Sequence, residues 1–208
     1  EFPEMGKLML PRVLSLGALQ FQLLIFDKVA SGLTEGSVSV NAYARNFQSV
    51  LVGVTGIALA QSAYSLLGQA AAWKNEKLFK KYLLWGVGAL LIITIPGSIA
   101  LVLLSPVVAK IMGIQSIALF SSALLAYAVS IPFESLNHLL LRSYYATKHT
   151  LLPAIATVAG AIAATAVSYG LSAKLGIISI GLGFTAGQIV LLIGLTLLFP
   201  KVLRRVRG

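Results

Sequence analysis

Arg45, Asn46 and Gln48 stand near the start of a long apolar stretch, Ser37–Gln69. An arginine inside an apolar helix costs ~2.5–3.5 kcal/mol on insertion scales, so its default setting is a protein interior or a water-filled cavity. There its guanidinium fork suits an anion or a carboxylate. A second reading stays open, because Arg45 lies only two turns from the helix start and its stem can snorkel to the interface. Asp27, beside Lys28, allows either an interfacial pair at a helix end or a cation site facing a cavity. Glu134, two residues after Pro132, is the candidate charge partner of Arg45, since a buried carboxylate and guanidinium offset each other's charge. Asn41, Gln20, Gln22, Gln61, Asn137 and Gln188 add polar handles, each alone more often an interhelical hydrogen bond than a ligand contact. His138 is either a proton carrier or a packed, satisfied side chain.

Catalytic constellations are missing. The chain has two histidines and no cysteine, and it contains no HExxH, no GxSxG, no GK[ST] phosphate loop and no carboxylate cluster. No enzymatic activity, metal site or cofactor is expected. The substrate-binding set is therefore expected from Arg45, Asn46, Asn41 and Gln48, with Asp27 and Glu134 as the ion or charge-pair candidates.

The elements that position these residues follow from composition. Of 208 residues 58% are hydrophobic and 11% charged, with a mean hydropathy of +0.91. Soluble domains carry about 25% charged residues, so this is an all-α integral membrane protein. Six apolar segments are marked, at about 8–32, 37–69, 82–104, 115–147, 151–173 and 178–198, each long enough to supply the ~20 residues that cross a bilayer. Gly32–Gly36 is a tight turn that makes the first two a hairpin. The basic stretch WKNEKLFKK reads as an amphipathic linker at the membrane surface. Ser105-Pro106 closes the third segment, and VVAKIMGI reads as a short interfacial helix. Pro96 and Pro132 fall mid-span, where they kink helices without ending them.

Net charge is +10, yet the cations sit between apolar runs, which argues for a membrane topology and against nucleic acid. Only Lys28, Lys110 and Lys174 flank the odd-numbered connections. The other side collects Lys7, Arg12, Lys74, Lys77, Lys80, Lys81, Arg142, Lys148, Lys201, Arg204, Arg205 and Arg207. The positive-inside rule then places both termini in the cytoplasm. Small residues thread the second, fifth and sixth segments, among them Gly56, Gly160, Ala164, Gly183 and Gly187, and allow close helix approach. The start at Glu1, with no signal-type leader, suggests a piece of a longer protein; a natural half-length protein is the alternative.

A series of short motifs resembles one family. Gln20-Phe21-Gln22-Leu23-Leu24-Ile25, Glu35-Gly36-Ser37 and Tyr43-Ala44-Arg45 are similar to the start of the second lobe of the MurJ/MviN lipid II flippases. Those belong to the multidrug/oligosaccharidyl-lipid/polysaccharide (MOP) exporter superfamily, which includes the MATE-like transporters. Gly53-Val54-Thr55-Gly56-Ile57-Ala58-Leu59 resembles that family's GVFGVAL, Ser105-Pro106-Val107-Val108 its EPIV, and Tyr127-Ala128-Val129-Ser130-Ile131-Pro132 its YAVGLP. Arg142-Ser143-Tyr144-Tyr145-Ala146-Thr147-Lys148-His149-Thr150-Leu151-Leu152-Pro153 is similar to its RAFYALxDTRTP.

The resemblance implies one six-helix lobe of a two-lobe transporter. It implies a lipid-linked anionic substrate, lipid II-like peptidoglycan precursor, moved across the bacterial cytoplasmic membrane by alternating access. It also implies a missing first lobe as partner, with a cationic cavity between the two. Two departures stand out. Arg45 comes one residue before the family's arginine, whose place Asn46 takes, and one residue is ~100° around a helix. Ala164 and Ser168 stand where some members have cation-site residues, which argues against a sodium site of that kind. A polysaccharide-lipid or multidrug exporter of the same superfamily, or a non-transporting membrane scaffold, are the alternatives.

Overall fold

A computed structural model describes the backbone of residues 2–207 and the side chains of residues 11–207. The side chains of Glu4 and Lys7, and Glu1 altogether, lie outside the described residues. Six helices long and apolar enough to cross a membrane follow one another. They are α1 (Phe2–Ser31), α2 (Ser37–Ala72), α3 (Glu76–Ile111), α4 (Ile117–Ala146), α5 (Leu151–Leu175) and α6 (Ile178–Arg207).

The helices α3 and α6 outrun the apolar segments that announce them by about two turns or more. The basic stretch after Ala72 is not a linker apart from the spans: only the turn Trp73-Lys74-Asn75 divides α2 from α3, and its remainder belongs to the start of α3. The Asn75 side chain caps α3 by accepting from the Leu78 amide at 3.0 Å, which satisfies one of the orphan N–H groups of its first turn. At the other end α3 continues through Pro106 to Ile111, so Val107–Ile111 of the VVAKIMGI stretch are its last residues and Met112-Gly113-Ile114 leave it. A proline removes one internal hydrogen bond, and packing against neighbouring helices sustains the helix beyond it. The basic tail is also helical, through Pro200 to Arg207. Val202 and Val206, one turn apart, are fully buried against the neighbouring helices, while Arg207 reaches Glu76 at the start of α3 and Lys80 lies 2.7 Å from the same carboxylate.

Two helices are irregular inside the lobe. Val52–Ile57 of α2 is a π-helical turn. Its residues, VGVTGI, are glycine and mostly β-branched, poor α-formers, and Thr55 Oγ1 donates to the Leu51 carbonyl at 2.7 Å. In α4 the helix breaks at Val129, because Pro132 has no N–H for the Ala128 carbonyl and its ring crowds that oxygen. The two irregularities face each other. A Cβ on Gly56 would lie 2.5 Å from Ser135 Oγ, so only glycine permits this approach of α2 to α4.

The α5–α6 pair is the most extensive contact, α1 lies along α5, and α4 sits between α2, α3 and α6. Two apolar cores form at different depths. One gathers Phe26, Ala44, Phe120, Tyr127 and Ile180; the other gathers Leu67, Phe79, Leu90, Leu139 and Leu195. Tyr144, buried in the second, donates to the Leu195 carbonyl at 2.6 Å. The turns differ by side as well. Gly36, Gly113 and Gly176 take positive φ at one end, whereas Lys74 (φ 52) and Lys148 (φ 59) take it at the lysine- and arginine-rich end.

Candidate functional site

The helical period puts Asn41, Arg45 and Gln48 on one face of α2, since positions three and four apart share a face. Tyr127, Ser130, Glu134, Asn137, His138 and Leu141 are similarly aligned along α4. Between the two apolar cores these faces enclose a cavity of about 330 Å³. Arg45 and Ser49 line it from α2, and Glu134, Asn137 and His138 from α4. Gln22 of α1, Thr157 of α5 and Gln188 of α6 complete its polar wall, with Leu19, Leu23, Phe184 and Leu191 as its apolar part.

Arg45 lines the cavity, and its Nη1 is buried without a hydrogen-bond partner. Asn137 has turned its Nδ2 to the backbone carbonyl and Oε1 of Gln188, at 2.9 and 2.8 Å. Its own Oδ1 is left buried and unpartnered. A buried polar atom without a partner costs about 1–3 kcal/mol, so this wall is suited to water or a polar ligand that donates to Asn137 and accepts from Arg45.

Glu134 is held differently from the sequence expectation. Its Oε2 accepts from Gln48 Nε2 at 2.5 Å, and its Oε1 lies 4.0 Å from His138 Nε2. Gln48 Nε2 also donates to Ser130 Oγ at 3.2 Å, and Ser130 Oγ donates to the Tyr127 carbonyl at 2.6 Å. Arg45 shares the cavity with Glu134 but does not pair with it: among the described residues Glu134 approaches only His138 as a charge partner. An amide on the facing helix occupies the carboxylate instead.

Asn41 lies deeper, fully buried, accepting from Tyr127 Oη at 2.9 Å and donating to Asp27 Oδ1 at 3.5 Å. Asp27 is thus turned toward the lobe interior, and its pair with Lys28 does not form. The structure does not bring Asn46 to the cavity. One position past Arg45, it is rotated off the polar face and exposed.

Residues that escaped the sequence reading are Tyr127 and Ser130, which anchor Asn41 and Gln48, and Ser49 and Thr157 in the cavity wall. Ser130 had a local signal, a hydroxyl two residues before an intramembrane proline. Thr157 has none beyond being polar in an apolar span.

The seam between α5 and α6 has no such space. A Cβ on Gly183 would lie 2.6 Å from the Ala164 carbonyl and 2.8 Å from Ser168 Cβ; one on Gly187 would lie 2.7 Å from the Gly160 carbonyl. Ala164 and Ser168 are both buried in this contact. A methyl, one hydroxyl and closed backbone do not fit a cation.

The family model described as Lipid II flippase MurJ matches residues 1–207. A probable lipid II flippase MurJ of Thermotoga maritima is 28% identical over 160 residues, 74% of this chain and 33% of that protein. A probable lipid II flippase MurJ of Buchnera aphidicola subsp. Acyrthosiphon pisum is 37% identical over 101 residues, 48% of this chain and 19% of that protein. Among solved structures, a lipid II flippase MurJ in an inward closed conformation superposes with a TM-score of 0.81 at 23% identity, over 99% of this chain and 46% of that one. A crystal structure of a MATE mutant superposes with a TM-score of 0.85 at 17% identity, over 96% of this chain and 46% of that one. The chain therefore has a six-helix fold that matches 46% of each of these two structures, and it spans about a third of the Thermotoga relative.

Proposed function

Because the chain belongs to the lipid II flippase MurJ family, we propose that it is the second lobe of a two-lobe flippase. A first lobe completes it, and the pair alternates access to carry a lipid II-like precursor from the inner to the outer leaflet of the bacterial cytoplasmic membrane. Both termini face the cytoplasm, which puts the basic helix ends there. The role is transport, with no covalent step.

The observation that carries this reading is Arg45: an intramembrane guanidinium with a buried, unpartnered Nη1 in the wall of a polar cavity. A diphosphate oxygen is a suitable acceptor, since guanidinium and phosphate geometries match. Asn41 and Gln48 act behind it by fixing the polar face of α2, and Asn46 lies at the lobe's outer surface, where a substrate tail or the partner lobe is its available contact. The scaffold alternative calls for a lobe packed shut, and a polar cavity speaks against it.

The test is lipid II translocation in proteoliposomes by the full transporter containing this lobe, wild type against Arg45→Ala. With normal insertion, the expected loss is about tenfold to a hundredfold, from the ~1.5–3 kcal/mol of a charged hydrogen bond. Unchanged translocation would make Arg45 structural and move the substrate site elsewhere.

A further inference from the structure

Glu134 has no role in the substrate path just described. It sits midway between the two apolar cores, on the cavity wall. Among the described residues its carboxyl group has one amide donor, Gln48, and no guanidinium or ammonium within ion-pair distance; His138 Nε2 lies 4.0 Å away. In an apolar surround a carboxylate without a counter-charge is costly, whereas the protonated acid is not.

The groups facing it are few. Arg45 from α2 and His138 from α4 line the same cavity, while among the described residues the polar groups that α1, α5 and α6 bring to it are the uncharged Gln22, Thr157 and Gln188. Asp27 and Tyr127 belong to the neighbouring Asn41 cluster, and Arg142 follows His138 by one turn.

Two further features make the position useful. Thr157 lines both this cavity and a second one, of about 290 Å³, whose wall includes Arg12, Ser15, Tyr145 and Thr150 at the basic helix ends. Thr157 is thus a wall residue common to the two cavities. The Gln48–Glu134 bond also ties together the two irregular helices. Gln48 precedes the π-turn of α2 by one turn, and Glu134 follows the break of α4 and Pro132. Such irregular turns are common at functional sites.

We propose that Glu134 is a proton-binding site at the centre of this lobe, exchanging a proton with water as the lobe moves substrate. This rests on the transport reading above. The free oxygen Oε1 forms an O–H bond with a proton taken from water on one side of the membrane, and the same bond breaks when the proton leaves to the other. Oε2 keeps the Gln48 amide, and no redox partner is involved. The neutral acid accepts the Gln48 amide more weakly than the carboxylate does, while Ser130 continues to hold that amide, so the strength of the tie between the π-turn and the α4 break depends on occupancy. An alkali cation is the competing ligand and is disfavoured: Gln48 turns N–H groups, not oxygens, toward the carboxylate, and Arg45 places positive charge on the same wall.

The experiment has two readouts on the full transporter in liposomes. First, infrared difference spectra between acid and alkaline buffer, without substrate, are expected to show a protonated-carboxyl C=O band that is lost in Glu134→Gln and kept in Asp27→Asn. No band in wild type, or a band that survives Glu134→Gln, overturns the proposal. Second, with lipid II as probe, an imposed pH gradient is expected to speed translocation about tenfold, within the usual range of coupling energies, and Glu134→Gln to abolish that dependence. Acceleration by a sodium gradient but not by a pH gradient also overturns it. A Glu134 band together with no lipid II movement under any gradient instead defeats the flippase reading and leaves the proton site standing.

Discussion

The seam between α5 and α6 and the contact between α2 and α4 bury helix against helix by opposite means. Along the seam glycines at 160, 183 and 187 and Ala164 let backbones touch, and a single added methyl has nowhere to go. Between α2 and α4 one glycine, Gly56, permits the approach. Beyond it the interface turns polar, with a π-turn, a helix break, an amide–carboxylate bond and a cavity. In a membrane the first arrangement gains dispersion contact and close packing. The second gains hydrogen bonds that have alternatives, since buried donors and acceptors on its wall are left open. The close-packed seam and the polar contact are separate helix pairs, although Thr157 and Gln188 of the seam helices also line the cavity.

That contrast can be broken most severely at the seam. Gly187→Ala drives a Cβ against the Gly160 carbonyl, a backbone atom that cannot rotate away. Overpacking of this kind costs about 1–3 kcal/mol or more. Gly170→Ala on the same α5, where nothing lies within 4 Å, is expected to be neutral or slightly stabilising, because alanine favours the helix by up to ~1 kcal/mol. Thermal unfolding in detergent separates the two; equal effects would mean that the seam is not close-packed.

At the polar contact Gln48→Leu removes the donor to both Glu134 and Ser130. A smaller stability loss is expected, about 1–3 kcal/mol for the partners left unsatisfied, together with a change in transport larger than Gly170→Ala causes. A stability loss with no change in transport would make this network structural and weaken the contrast.

The smallest effect is at the helix ends. Lys148 holds a left-handed conformation that costs an L-residue roughly 1–2 kcal/mol. Lys148→Gly should raise the unfolding temperature modestly, and a drop would show that the lysine makes a compensating contact. Its effect should leave both helix pairs untouched.

How much of this was legible differs between fold and site. Six spans follow from hydropathy, because the bilayer core sets the helix length and every backbone group must be satisfied inside the helix. Helix ends were less legible. Pro106 read as a stop and the basic stretch after Ala72 as an amphipathic linker at the membrane surface, yet α3 runs from Glu76 through Pro106 to Ile111, and α6 runs on past Leu198, where Val202 and Val206 are buried. Arg45, Asn41, Gln48 and Glu134 were visible as polar residues in apolar runs. Their partners were not.

Sequence alone determined that this is a six-span helical membrane protein of the MurJ family with an arginine and a glutamate inside the bilayer. Tertiary structure decided that Arg45 and Glu134 share a cavity without pairing, that Gln48 takes the carboxylate, and that Asn46 faces outward. Helical period is a local property of the chain, whereas the neighbour of a side chain depends on which helices meet, at what depth and rotation. Here the Gly56–Ser135 approach and the two helix irregularities set that rotation, and no single segment encodes it.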